Sequence, residues 1–382
     1  MVDIANSNIP EWWIYEGQVD NNEIIDRQSN RYREMLDNPD LCPRWRNFST
    51  RNNSRKSPTE VIELPDTLLL NYDDRGDYFV PDNEMIEMVN AALYLRRPLL
   101  ISGNPGVGKS TLIYSVARAL RLGPVLRWGI NSRSTRQEGL YQYDAIGRLQ
   151  DWQLHKIAYD KEVQKDPSSS RIQPEKSVDG NRQPDEPVDI GEYLSLGPVG
   201  TAMLPYRRPR ALLIDEIDKG DLDLADDLLD LLEDGQYRIP ELARLKKYHP
   251  EIKVRTADYD DHVVPIYQGE VQCRHFPFVI ITKNEGKEFS RAFRRRCLHL
   301  EVKDPSTKDS LEYWGRIIEK QIPPIQQKDV KQVIQEFINL RKQGHQTTDQ
   351  LMQAIFMLTR DFSVRNPRTK DALLKKLLTP LN

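Results

Sequence analysis

Several things that would point to a membrane, a secreted scaffold or a nucleic-acid coat are missing from this sequence. Apolar residues never run for the roughly 20 positions that a bilayer-spanning helix needs. The first residues lack the basic-then-apolar order of a secretory signal. The expectation is a cytoplasmic protein with no membrane partner. Cysteine is scarce: Cys42, Cys273 and Cys297 stand at no metal-ligand spacing. That excludes a disulfide framework and a zinc knuckle, and leaves three reduced thiols. Positive charge is not in excess, since the formal net charge is -3. The surface as a whole makes no electrostatic case for nucleic acid, although a local basic patch is compatible with that balance. Nor is there a repeat of solenoid type.

What is present is a phosphate loop. Leu99-Leu100-Ile101-Ser102 is a short apolar run, followed by Gly103-Asn104-Pro105-Gly106-Val107-Gly108-Lys109-Ser110-Thr111. This matches G-x-x-x-x-G-K-[ST] between a strand pattern and a helix pattern. Gly103, Gly106 and Gly108 allow positive φ and a close approach to a ligand. The loop N–H groups can then converge on a polyphosphate, aided by the positive end of the next helix. Lys109 is placed to neutralise β and γ oxygens, and Ser110 to give an oxygen to Mg²⁺. Leu112, Val116, Ala117 and Leu120 form one face of the predicted helix from Lys109 to about Leu120.

The chain of 382 residues suffices for two or three domains. Residues 1–60 are polar and poorly periodic, with aromatic islands at Glu11-Trp12-Trp13-Ile14-Tyr15 and Cys42-Pro43-Arg44-Trp45-Arg46-Asn47-Phe48. So polar a segment cannot fold alone. Its islands suit docking, on this chain more economically than on a partner. A helix is predicted from Pro81, then the phosphate-loop strand, then a strand at Val125-Leu126-Arg127-Trp128. Strand, helix and strand in that order suit a parallel sheet. The aromatics of Tyr141-Gln142-Tyr143 and Trp152 read as core or subunit contacts ahead of a pore or substrate surface. Residues 160–189, with Pro167, Pro174, Pro184 and Pro187, read as a flexible insertion.

Ala211-Leu212-Leu213-Ile214-Asp215-Glu216-Ile217-Asp218 is an apolar strand ending in acids. The C-terminal edge of a parallel sheet is where ligands bind. Asp215 is placed there to hold Mg²⁺, and Glu216 to polarise an attacking water. Asp221 to Asp234 reads as one amphipathic acidic helix capped by Gly235. Ile252 to Cys273 reads as a β-hairpin turning at 258–261. Phe276 to Thr282 is a further buried strand, with Asn284 just past its end. That amide suits water orientation or γ-phosphate contact, and equally a turn. Phe289 to Leu300 carries Arg294, Arg295 and Arg296 before a last strand. They read as a basic surface or as an arginine finger for a neighbouring subunit. Helices are expected from about Ser306 onward.

These motifs, in this order, resemble an AAA+ ATPase. The residues that carry the resemblance are the loop at 103–110, Leu-Leu-Ile-Asp-Glu-Ile-Asp at 212–218, Ile-Ile-Thr-Lys-Asn at 280–284 and Ala-Phe-Arg-Arg-Arg-Cys at 292–297. Tyr141 to Ala145, Arg148-Leu149, Leu196-Gly197-Pro198 and the hairpin are similar to the MoxR-like branch. The resemblance covers about residues 80–302. It implies an α/β fold: a P-loop NTPase parallel-sheet AAA+ core over 61–302, with the insertion 160–189, and a C-terminal helical lid over 303–382. It further implies ATP and Mg²⁺ as cofactors, with Gly103 to Thr111 binding nucleotide. Asp215 becomes the Walker B magnesium residue, Glu216 the catalytic glutamate and Asn284 sensor 1. Arg296 aligns with the finger and Arg295 is its rival. Arg368 and Arg360 compete for sensor 2. The implied function is an ATP-hydrolysing remodeller of a protein partner, a hexameric homo-oligomer acting with a von Willebrand A-type protein. The alternatives are a slow nucleotide switch or scaffold in a signalling or conflict assembly and, against the charge balance, a nucleic-acid motor.

Overall fold

The computed structural model describes residues 9–19, 21–48, 61–165, 189–258, 262–284, 286 and 288–302. Beyond these it describes 314, 315, 318, 334, 335, 337, 338 and 348–359. Apolar runs too short for helices become strands buried on both faces, the signature of a parallel sheet covered by helices. In chain order the strands are β1 (Leu99–Gly103), β2 (Leu126–Gly129), β3 (Tyr141–Tyr143), β4 (Leu194–Leu196), β5 (Ala211–Asp215), β6 (Gln236–Arg238), β7 (Glu251–Arg255), β8 (Val263–Tyr267), β9 (Glu270–Gln272), β10 (Phe278–Lys283) and β11 (Leu298–Val302).

Two sheets result. The first has the order β11-β1-β10-β5-β2, and every pairing in it is parallel. Its register sets Ser102 beside Lys283, Ile214 beside Ile281 and Asp215 beside Gly129. The carboxyl ends of β1, β2, β5 and β10 therefore share one edge. The second sheet has the order β3-β4-β7-β8-β9-β6 and is mostly antiparallel.

Alternation along the parallel strands divides the core. Leu100, Leu212, Ile214, Val279 and Ile281 join a cluster with the second sheet. Leu99, Ile101, Leu213 and Ile280 join another, under the helices Asn83–Leu95 and Thr111–Leu120. The N-terminal segment packs on this second cluster. Trp13, Ile14, Tyr15 and Val19 are buried in it, with Tyr32, Met35 and Leu36 of the helix Asn22–Asp37. Asn90 fixes the approach, accepting from the Ile14 and Tyr15 N–H groups at 2.7 and 2.9 Å and donating to the Tyr15 carbonyl at 2.8 Å. Phe48, from the other aromatic island, is buried in the first cluster.

Local rules set the helix ends. The Asp82 side chain caps the helix Asn83–Leu95 by accepting from the Met85 N–H, and Arg96 ends it in a left-handed conformation, φ 51°. Thr135 and Glu138 form a capping box. The acidic stretch expected as one helix is two, Leu222–Asp227 and Leu229–Asp234, joined at Leu228. Gly235 follows as a left-handed cap. Tyr141 is buried, but Trp152 is 52% exposed on the helix Ala145–Lys165, beside exposed Ile146 and Leu149. The core reading of these aromatics therefore holds for Tyr141 and not for Trp152. The rest of the expected insertion (166–188), the hairpin tip (259–261) and most of the expected lid lie outside the described residues. Among the described residues, no helix is long and apolar enough to cross a membrane.

Candidate phosphate-binding site

The loop after β1 turns back on itself because its glycines permit it. Gly103 has φ 150°, and a Cβ there would meet the Val302 carbonyl oxygen at 2.4 Å. Gly108 has φ 86°, and a Cβ there would press on the Phe79 ring. Gly106 is also at positive φ, and Val107 is buried. Thr111 opens the next helix, aiming its N-terminal N–H groups at the loop. Lys109 Nζ lies under the turn, donating to the Gly103 carbonyl at 2.6 Å, the Asn104 carbonyl at 2.9 Å and Asn284 Oδ1 at 3.1 Å.

Opposite the loop stands Asp215, buried at the end of β5. Ser110 Oγ donates to its Oδ1 at 2.7 Å, and Thr282 Oγ1 donates to the same oxygen at 2.8 Å. Arg127 donates to Oδ2 through Nε at 3.1 Å and Nη2 at 2.7 Å. Burial pulls the Asp215 pKa upward, but the bonds from Ser110, Thr282 and Arg127 outweigh it and hold the carboxyl below its ordinary value. The pair of Ser110 hydroxyl and Asp215 carboxylate is a hard-oxygen donor set of the kind Mg²⁺ takes. The residues present thus fit that ion.

Glu216 follows in a left-handed conformation, φ 59° and ψ 50°, which costs a non-glycine residue about 1–3 kcal/mol. Its N–H donates to Thr282 Oγ1 at 2.9 Å, so one threonine positions both acids. Its carboxylate pairs with Lys219 at 2.7 Å. Asn284 is oriented by Asp218, which accepts from its backbone N–H at 3.0 Å and its side-chain N–H at 3.4 Å.

The structure thus brings together the loop residues, Ser110, Asp215, Glu216 and Asn284. It does not bring Arg295 or Arg296 to them. Arg296 pairs with Glu233 at 2.5 Å, on the helix Arg291–Arg296. Arg295 is exposed, and its carbonyl accepts from Arg97. Arg360 and Arg368 lie outside the described residues. Asn104 and Pro105 lie in the turn between Gly103 and Gly106. Sequence reasoning gave no task to Arg127, Thr282 or Asp218. The one available signal was a lone arginine inside the apolar run that forms β2.

The family described as AAA domain (dynein-related subfamily) matches residues 98–297. No curated protein matches the chain. Among solved structures, the chain is similar to domain III from the Thermotoga maritima replication initiation protein DnaA. The sequence identity is 13% and the TM-score 0.38, over 81% of this chain and 100% of that one.

Proposed function

The chain belongs to the dynein-related subfamily of AAA domains, and from that premise we propose that it binds Mg²⁺–ATP at the phosphate loop and hydrolyses it. The observation that carries the reading is the 2.7 Å bond between Ser110 and Asp215. It sets a phosphate cradle and an acidic strand end across one short gap. In this reading the loop N–H groups and Lys109 take the β and γ oxygens, Lys109 exchanging its carbonyl partners for phosphate. Ser110 and Asp215 hold Mg²⁺, which supplies countercharge to the triphosphate. Asn284 sits against Lys109, where its amide can orient the γ-phosphate or the attacking water. Glu216 accepts the proton of that water as the Pγ–O bond to ADP breaks.

The Lys219 pair does not hold Glu216 out of this role. Both side chains are about half exposed, and exposed pairs are worth about 0–1 kcal/mol. Arg296 is proposed as a finger for a neighbouring subunit, with Arg295 as its rival, since neither reaches the site of its own chain. That reading makes the active assembly a homo-oligomer. The MoxR-like reading of the loop at 141–149 adds a hexamer and a protein client or von Willebrand A-type partner.

The deciding experiment compares wild type with Glu216→Gln for ATP affinity and for steady-state phosphate release. Affinity should stay within about threefold, while turnover falls by about 10²–10⁴-fold. Wild-type turnover in the variant would remove Glu216 from the chemistry.

A further inference from the structure

The opposite edge of the parallel sheet holds a cavity of about 390 Å³. That is within the size range of small-molecule sites. It lies between the N-terminal segment and the starts of β1 and β10, away from the phosphate loop. Leu36, Phe48 and Pro205 supply apolar wall, and Arg96, Arg274 and His275 supply polar wall.

Arg96 is only 6% exposed, and its Nε is buried without a hydrogen-bond partner. His275 is 9% exposed, and both its ring nitrogens are buried without a partner. Burial, with Arg96 and Arg274 nearby, pushes His275 down to about 3, so its ring is neutral at pH 7. Native proteins satisfy the great majority of buried polar groups, and an unpaired buried charge is costly. Two arginines and a neutral histidine on one wall, against Asp37 as the one acid on the lining among the described residues, leave a single net positive charge.

We propose that this cavity binds a small organic monoanion, its carboxylate seated on Arg96 beside His275 and Arg274. The planar guanidinium offers the bidentate fork that a carboxylate matches. The apolar body of the ligand rests on Leu36, Phe48 and Pro205. A dianion is disfavoured, because the lining supplies one net charge and Asp37 repels the second.

Benzoate is the probe, with phenyl phosphate and benzyl alcohol as comparisons, titrated by calorimetry against the full chain. The expected result is saturable benzoate binding, at least tenfold tighter than phenyl phosphate at pH 8. Benzyl alcohol should not bind. Arg96→Gly should lose at least tenfold of the benzoate affinity, and Arg96→Lys should restore part of it. Glycine suits the left-handed backbone at this position, so the variant keeps its fold, as unchanged far-UV circular dichroism will report. Lys109→Ala should bind benzoate as wild type does, which separates this cavity from the phosphate loop. Absent benzoate binding, equal binding of benzyl alcohol, or full affinity in Arg96→Gly would each overturn the proposal.

Discussion

The two edges of the parallel sheet treat buried charge differently. At the carboxyl edge, Asp215 accepts from Ser110, Thr282 and Arg127, side chains of three other segments. At the amino edge, two arginines precede strands and diverge. Arg210, just before β5, is fully buried and donates through Nη1 and Nη2 to Asp258 at 3.0 and 2.6 Å. Burial pulls Asp258 upward, and Arg210 brings it back below its ordinary value. Arg96, close before β1, is nearly as buried, and among the described residues no acid is seen paired with it. The pairing of Arg210 is structural. In the proposed function the cluster at Asp215 takes a cation and a triphosphate. The wall at Arg96 is where the inference drawn above seats an anion.

The sharpest way to break this comparison is to leave Arg210 in the condition of Arg96. Asp258→Ala strips the acid and leaves a buried guanidinium uncompensated. We expect a loss of about 3–5 kcal/mol, read from the urea midpoint at unchanged slope. Arg210→Met with Asp258→Leu removes both charges and should recover most of that loss. Equal losses in the single and double variants would mean that packing, not pairing, makes this region stable.

How much of this was written in the sequence depends on how local the signal is. The phosphate loop is one contiguous stretch whose glycines, lysine and serine each have a job. The acids at 215 and 216 end an apolar run that is itself a pattern. The aromatic islands at Trp13-Ile14-Tyr15 and Phe48 were likewise visible, because apolar residues in a polar segment need a partner. Arg127, Thr282 and Asp218 were not visible as a group. Their meeting depends on β5 lying between β2 and β10, a non-local fact of strand order. Arg96 and His275 were hidden for the same reason. Each is unremarkable in its own stretch, and only the fold places them on one wall. The break at Leu228 was hidden because both halves of Asp221–Asp234 keep the same apolar face.

A second test sharpens the carboxyl edge. Arg127 is 54% exposed, so its two bonds to Asp215 are screened in a way the Ser110 and Thr282 bonds are not. Arg127→Met should cost the nucleotide-free protein about 1 kcal/mol, below the range for buried charge-assisted bonds. The loss should shrink in 1 M NaCl, as measured by thermal unfolding. A loss of 3 kcal/mol or more, insensitive to salt, would make Arg127 as structural as Arg210. The contrast between poised and structural charge would then fail.

The smallest effect is the most diagnostic, because its sign is opposite. Arg96→Gly removes an unpaired buried charge and relieves a left-handed non-glycine backbone, which itself costs about 1–3 kcal/mol. Against this stands the packing of the arginine stem, which the variant loses. The net expectation without ligand is a gain of about 1 kcal/mol at pH 7. Acid should enlarge it. In wild type, His275 titrates at about 3 in the fold and near 6.5 when unfolded. Between those values the unfolded chain binds more protons, so wild-type stability falls as pH drops. Burial is the first cause of that shift and Arg96 the second, while Arg274 remains in the variant. Asp37, Cys42 and Cys273 line the same cavity and are unchanged. Glycine at 96 therefore moves the histidine part of the way back, and the wild-type loss is cut short above pH 3. Melting curves at pH 7 and pH 4.5 should show the variant ahead at both, and further ahead at the lower. A variant less stable than wild type at pH 7 would mean that Arg96 is already compensated, and that the two edges of the sheet do not differ after all.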